Sequence, residues 1–182
     1  MCGGRGTRLD ADREKPLFRV DGVPMVERVC AALRESRIET TYAVVSPEAP
    51  ETAAAVDAPT VETPGEGYVA DLDRALADDR IERPILTVAA DLPLLDGAAV
   101  DRVLDVHAGG SLTVAVPVER KREVGVSADT SYRVDGRDVA PAGINVVGRG
   151  PDETWVTTDE RFAVNVNRRG DAAVAERLLV EG

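Results

Sequence analysis

The chain has 182 residues, 43% of them hydrophobic and 3% aromatic, which suits one compact domain with a Val-, Ala- and Leu-rich core over 1–182. Asp plus Glu number 33 against 22 Lys plus Arg, a net charge of −11, and no basic stripe is present, so nucleic acid is excluded as a partner. No apolar run reaches the ~18–20 residues of a membrane span and no secretory leader opens the chain, so a cytoplasmic protein with no membrane span is expected.

Taken in chain order, Gly3, Gly4, Arg5, Gly6, Thr7, Arg8 and Leu9 form a glycine-rich opening. Glycines let backbone N–H groups approach a triphosphate, and Arg5 and Arg8 supply donors that match phosphate oxygens. The run is neither a Walker A loop nor a dinucleotide fingerprint. Glu14-Lys15-Pro16-Leu17 closes it, and Lys15 can reach a leaving pyrophosphate. Only Lys15 and Lys121 are lysines, so a chain that otherwise prefers arginine keeps lysine here for a reason. A glycine loop of this kind normally follows a buried strand, but only Met1 and Cys2 precede Gly3. The first strand is therefore read as truncated, with the true start expected upstream.

Helical spacing of Met25, Val26, Val29, Cys30 and Leu33 predicts a helix over 24–36, and 42–45 reads as a buried strand ended by Ser46-Pro47. A short helix near 51–56, an extended piece at 60–62 and a helix over 69–77 follow. Residues 85–90 form an apolar strand that delivers Asp91, followed by Leu92-Pro93. A carboxylate at the C-terminal end of such a strand sits where open α/β sheets bind ligands, and its hard oxygens suit Mg²⁺. Asp96 is placed to cap a helix carrying Val100, Val103 and Leu104. Further strands are expected at 112–118, 144–147 and 162–166. A charged surface excursion over 119–138 carries a hairpin signal at Asp135-Gly136, and a helix over 172–180 closes the chain. Cys2 and Cys30 read as packing residues and His107 as a surface residue near a helix C-terminus. The alternation of strands and helices predicts an α/β fold: a single Rossmann-like three-layer domain with a mostly parallel sheet and a truncated first strand.

These motifs together resemble the nucleotidyltransferase superfamily that includes molybdenum-cofactor guanylyltransferase and sugar-phosphate nucleotidyltransferases. Four segments narrow the resemblance. Thr63–Leu72, with Gly65, Gly67 and Tyr68, is similar to the Gly-x-Gly-Tyr segment of the archaeal GTP:adenosylcobinamide-phosphate guanylyltransferases. Pro141-Ala142-Gly143-Ile144-Asn145, Asn165-Val166-Asn167 and Ser46-Pro47 match three more of their segments, although Arg168 stands where relatives often carry Thr, which leaves Asp171 to cap the last helix. The resemblance implies GTP and adenosylcobinamide phosphate as partners, Mg²⁺ as cofactor, GMP transfer with release of pyrophosphate, and a place in cobalamin biosynthesis. It assigns Arg8, Lys15 and Asp91 to catalysis, Asp91 to the metal, and Gly3, Gly4, Arg5, Gly6, Thr7, Gly65, Gly67, Asn145 and Asn167 to substrate or nucleotide. Guanylyl or cytidylyl transfer to another phosphorylated acceptor such as molybdopterin stays open, as do a non-catalytic nucleotide-binding role and a homodimer. The acid excess reads as halophilic adaptation, with salt screening the self-repulsion.

Overall fold

The apolar segments of this acidic chain collapse into a twisted sheet faced by helices, and the computed structural model describes residues 1–2, 9 and 13–181 of it. A single 3₁₀ turn at Lys15–Leu17 leads into a tight hairpin, β1 (Arg19–Val20) and β2 (Val23–Pro24), whose corner places Asp21 and Gly22 at positive φ. Then come α1 (Met25–Arg34), β3 (Ala43–Val45), α2 (Pro50–Ala55), β4 (Thr60–Glu62), α3 (Tyr68–Leu76), β5 (Ile85–Val88) and α4 (Gly97–Val106). The second half holds β6 (Ser111–Pro117), α5 (Val118–Val124), β7 (Tyr132–Val134), β8 (Arg137–Val147), β9 (Asp152–Val156), α6 (Glu160–Ala163) and α7 (Arg169–Glu181).

The main sheet has the order β5-β8-β6-β9, with β7 also paired to β8, while β3 and β4 form a parallel pair of their own. Within the main sheet β5, β6, β7 and β9 run the same way, although only the β6–β9 ladder is parallel. The exception is β8, which is antiparallel to β5, β6 and β7. The Asp135-Gly136 hairpin causes this reversal: both residues take positive φ, 48° and 78°, and return the chain directly from β7 into β8. A crossover helix would have been needed to bring β8 in parallel. Residues 1–2 tie the main sheet to the β3–β4 pair. The Met1 amino group donates to the Val88 carbonyl at 3.0 Å, Ala90 N–H donates to the Met1 carbonyl at 3.3 Å, and Cys2 N–H donates to the Val44 carbonyl at 2.9 Å.

The core follows the strand alternation. Leu112, Val114 and Val116 of β6 and Ala142, Ile144 and Val146 of β8 face Val29, Ala32 and Leu33 of α1 and Val100 and Val103 of α4. Close approach of α1 and α4 requires Gly97: a Cβ there would stand 2.7 Å from the Glu35 carbonyl oxygen. A second cluster joins Leu9, Val20, Met25, Val164, Val166, Ala172 and Ala175. Cys2 is buried with Leu17, Val26, Ala43 and Val45, and His107 caps α4, its Nε2 2.8 Å from the Gly110 carbonyl oxygen.

Two sequence expectations are corrected. Residues 162–166 are not a strand: Phe162 and Ala163 end α6, and 164–166 carry no regular structure, outside any sheet. Asp159 decides this, because its side chain accepts the Arg161 amide and starts a helical turn. Residues 119–138 are not all surface either, since α5 turns Val118, Lys121 and Val124 inward at helical spacing. The signal was hidden by five charged residues in the same seven-residue run.

Asp96 caps α4 as expected, accepting Ala99 N–H at 2.7 Å, and also takes both Arg161 Nη1 contacts at 2.8 and 2.9 Å. Arg161 reaches back to Asp159 as well. Burial alone would raise the Asp159 carboxyl, but the side-chain and backbone hydrogen bonds of Arg161 outweigh it and hold it below the ordinary aspartate value. A carboxylate depressed in the folded state stabilises fully above the ordinary aspartate range and loses that contribution as pH falls through the depressed value. Replacing Asp96 with Ala removes the cap and one arm of this bridge. It should lower stability by about 1–2 kcal/mol, read as a shifted denaturation midpoint with unchanged m-value.

Candidate active site

Asp91 lies three residues beyond the end of β5, at the carboxyl edge of the sheet. Its backbone carbonyl accepts Val166 N–H at 2.9 Å, which runs residues 164–167 alongside it. Val164 and Val166 are buried in the second cluster, while Asn165 reaches Asp91 and Asn167 reaches Lys15. Asn165 Nδ2 donates to Asp91 Oδ1 at 3.1 Å and to the Ala142 carbonyl at 3.0 Å. Lys15 Nζ donates to Asp91 Oδ2 at 2.5 Å and to Asn167 Oδ1 at 2.7 Å. Lys15 and Asp91 side chains are only 18% and 17% exposed, so this ion pair is screened far less than a surface one.

Glu14 holds the lysine turn in place. Its carboxylate accepts Glu51 N–H at 2.9 Å and Thr52 N–H at 2.7 Å, binding the turn to the N-terminus of α2. Gly143 makes room at the centre. It sits at φ 80° in β8, opposite the register shift between Thr113 and Ala115, and its carbonyl accepts Ala89 N–H at 2.8 Å. Asp171 anchors the far side: its carboxylate accepts the backbone N–H groups of Ser127, Asn167 and Arg168, the place foreseen for it at the start of α7. A cavity of about 200 Å³ opens here, lined by Asp91, Ser127, Thr130, Gly143 and Asn167 among others.

The remaining predicted residues fall into two groups. Gly65 and Gly67 precede α3 at positive φ, 74° and 113°. Gly65 N–H donates to Asp71 Oδ1 at 2.9 Å, and a Cβ on Gly65 would stand 3.1 Å from Ser46 Cβ. The Ser-Pro and Gly-x-Gly segments, well separated in sequence, therefore meet. Asn145 is not brought to Asp91. Its Nδ2 donates to the Tyr68 hydroxyl at 3.1 Å, and that hydroxyl lies 3.1 Å from Thr87 Oγ1, which ties α3 to the face of β5 and β8. Gly3, Gly4, Arg5, Gly6, Thr7 and Arg8 lie outside the described residues.

Sequence reasoning passed over Asn165, although it stands in the quoted Asn-Val-Asn segment, and Lys121. Lys121 is 2% exposed, and its Nζ donates to the Ala163 carbonyl at 2.7 Å and to Asn165 Oδ1 at 2.9 Å. Burial pushes its ammonium below the ordinary lysine value, and the fields of Asp91, Asp171 and Asp129 oppose that. The usable signal was the rarity of lysine itself.

For a divalent cation, the described residues contain no cluster of three His, Cys, Asp or Glu side chains. They do place one carboxylate and the Asn167 amide oxygen around a single cationic group, the Lys15 ammonium. Hard oxygens in that number fit Mg²⁺ arriving with a nucleotide's phosphates, not a closed resident site.

A family model for the MobA-like NTP transferase domain matches residues 1–157. The adenosylcobinamide-phosphate guanylyltransferase of Methanocaldococcus jannaschii is 26% identical over 98% of this chain and 95% of that protein. The bifunctional protein GlmU of Streptomyces griseus is 27% identical over 98% of this chain but only 37% of its own length. Among solved structures, a Bacillus anthracis protein assigned as a glucose-1-phosphate thymidylyltransferase, in complex with sucrose, superposes with a TM-score of 0.69 at 13% identity. It covers 97% of this chain and 92% of that one, and at that identity the likeness concerns fold alone. A Thermus thermophilus transferase gives 0.56 at 25% identity over 74% of this chain and 56% of that one.

Gly143→Ala tests the tight centre. Its Cβ would stand 2.9 Å from Ala89 Cβ and 3.4 Å from Asn165 Nδ2, whereas Gly136, also at positive φ, has open space around it. Strained backbone costs about 1–3 kcal/mol at either site, so Gly143→Ala should lower the denaturation midpoint clearly more than Gly136→Ala. Equal losses would mean that the close approach to Ala89 and Asn165 carries no energy.

Proposed function

The chain belongs to the MobA-like NTP transferase family and is a nucleotidyltransferase, and from that premise we propose that it transfers GMP from GTP to adenosylcobinamide phosphate, releasing pyrophosphate. The observation that carries the reading is the meeting of Lys15, Asp91 and Asn167 at the carboxyl edge of the sheet. The acceptor rests on the Methanocaldococcus jannaschii relative, whose likeness runs the length of both chains.

The chemistry needs little from the protein beyond position and charge. A phosphate oxygen of the acceptor is already anionic near neutral pH, so it attacks the α-phosphorus without a strong general base. The bond from the α-phosphorus to the bridging oxygen breaks, and its electron pair leaves with pyrophosphate. Lys15 meets that growing charge, and the two oxygens that hold its ammonium spare it reorganisation during the reaction. Arg5 and Arg8 bind the phosphates from the glycine loop. Asp91, which keeps lone pairs beyond the one that takes Lys15, would hold Mg²⁺, which when bound would supply charge neutralisation between nucleotide phosphates. Gly65, Gly67 and Asn145 line the α3 side as nucleotide contacts, with Asn145 acting alongside Tyr68.

Nucleotide choice is tested by calorimetric titration at high salt, where an acidic surface is screened. GTP should bind at least ~10-fold more tightly than ATP or CTP, about 1.4 kcal/mol. Pyrophosphate should appear only with GTP and adenosylcobinamide phosphate together; release with CTP and a molybdopterin acceptor would favour the other branch of the family.

Lys15 is tested by two substitutions. Lys15→Ala should raise the barrier by about 3 kcal/mol, the scale for losing one preorganised charge donor. Lys15→Arg should lower kcat more than it weakens GTP binding, because a planar fork replaces a compact charge between Asp91 and Asn167. Wild-type kcat in Lys15→Ala would end the phosphate role.

A further inference from the structure

The two lysines of this chain stand at opposite ends of one hydrogen-bond relay. Lys15 holds Asp91 Oδ2, Asn165 holds Asp91 Oδ1, and Lys121 holds Asn165. We propose that Lys121 is a positioning residue for the transfer reaction: acting through Asn165, it fixes the orientation of the Asp91 carboxylate.

The argument is one of donors and acceptors. An ammonium only donates, so Asn165 must turn its carbonyl oxygen to Lys121 and its NH₂ to the other side. There the NH₂ meets two acceptors, Asp91 Oδ1 at 3.1 Å and the Ala142 carbonyl at 3.0 Å, and both of its hydrogens are used. The opposite orientation would set an amide oxygen against a carboxylate oxygen and an NH₂ against an ammonium. Lys121 thereby permits only one state of the amide. With Lys15 on Oδ2, the carboxylate plane is then held from both sides.

Lys121 does this from within the fold. Residues Val118 and Val124 of α5 are buried beside it, and its second bond, to the Ala163 carbonyl, fixes the ammonium at the end of α6. Arginine would bring five donors and a wide plane to a place with two acceptors on it, which accounts for lysine in a chain that favours arginine. A buried cation without a directly ion-paired carboxylate among the described residues is a poor stabilising device, whereas fixing one arrangement is a use for which buried polar groups are retained.

The proposal rests on the transfer reaction proposed above, and the test separates the two. Wild type, Lys121→Met, Asp91→Asn and the double variant are compared for kcat and KM of GTP-dependent pyrophosphate release. Loss of a group that orients a site carboxylate typically costs about 10–100-fold, so Lys121→Met should lower kcat by that factor with little change in the KM for GTP. Once Asp91→Asn is present, adding Lys121→Met should lower kcat by less than about 3-fold, because both changes act on one network. Equal fold losses in both backgrounds, or wild-type kcat in Lys121→Met, overturn the proposal. Should Lys121→Met fail to fold, Asn165→Asp keeps an acceptor for Lys121 and removes the donor to Asp91 together with that to the Ala142 carbonyl. It should show the same fall in kcat, and unchanged kcat there is equally fatal. Side-chain amide NMR of Asn165 needs no substrate: its two protons should exchange slowly in wild type and quickly in Lys121→Met. Unchanged amide exchange counts against the positioning role, while a wild type that releases no pyrophosphate with any acceptor counts against the guanylyltransferase reading.

Discussion

A carboxylate that is mostly withdrawn from water at the end of a strand must be partnered, and satisfying Asp91 organises much of this fold. One oxygen takes Lys15, which requires the turn after the glycine loop to sit against α2, where Glu14 binds it. The other takes Asn165, which requires residues 164–167 to run beside residue 91. Partnering also fixes where Gly143 must be, since any larger residue would collide with Ala89 and crowd Asn165. Elements from every part of the chain thus converge on one side chain. The cost of leaving such a group unpaired, several kcal/mol, exceeds what any one of these contacts contributes when made.

The reversed strand serves the same centre. Because β8 runs antiparallel between β5 and β6, its register shift near Val114 places Gly143 beside Ala89, two residues before Asp91. Farther along, the same strand presents Asn145 across from Thr87, and Tyr68 bridges them to α3. One strand therefore couples the carboxylate site to the glycine turn at Gly65 and Gly67. That coupling supplies a physical route by which the proposed nucleotide contacts on the α3 side and the proposed phosphate contact at Lys15 would be held at a fixed spacing.

Catalysis by placed charge suits a site with no histidine near it. The described site residues are lysines, aspartates and asparagines, all held by hydrogen bonds from at least one other element. Such a site lowers a barrier by not having to reorganise, so loosening any anchor should damage turnover more than binding. Against the net charge of −11, the Lys15 ammonium is a cation held in place where, under the proposed function, a polyanionic substrate would bind.

Local rules made much of this legible. Helical periodicity placed α1, α3, α4 and α7 to within a few residues, the Asp135-Gly136 pair announced its hairpin, and Asp96 its cap. Lys15 and Asp91 were singled out because each stands in a short segment whose chemistry is readable alone: a lysine before a proline, an aspartate after an apolar strand. Asn145 was grouped with them by motif, yet it belongs to the Tyr68 contact, because neighbouring positions on a strand face opposite ways and only the pairing of β5 with β8 decides which. Residues 162–166 have the apolar content of a strand, but the Asp159 cap and the Asp91 carbonyl drew them into a helical turn and an irregular run. Lys121 was hidden most completely. In sequence it is one charge among five, and its burial depends on α5 packing against α6, a contact between segments some forty residues apart. Composition and periodicity determined the class of fold, and two short segments pointed to Lys15 and Asp91; which side chains share a hydrogen bond was decided only when the sheet closed and brought buried donors to their acceptors.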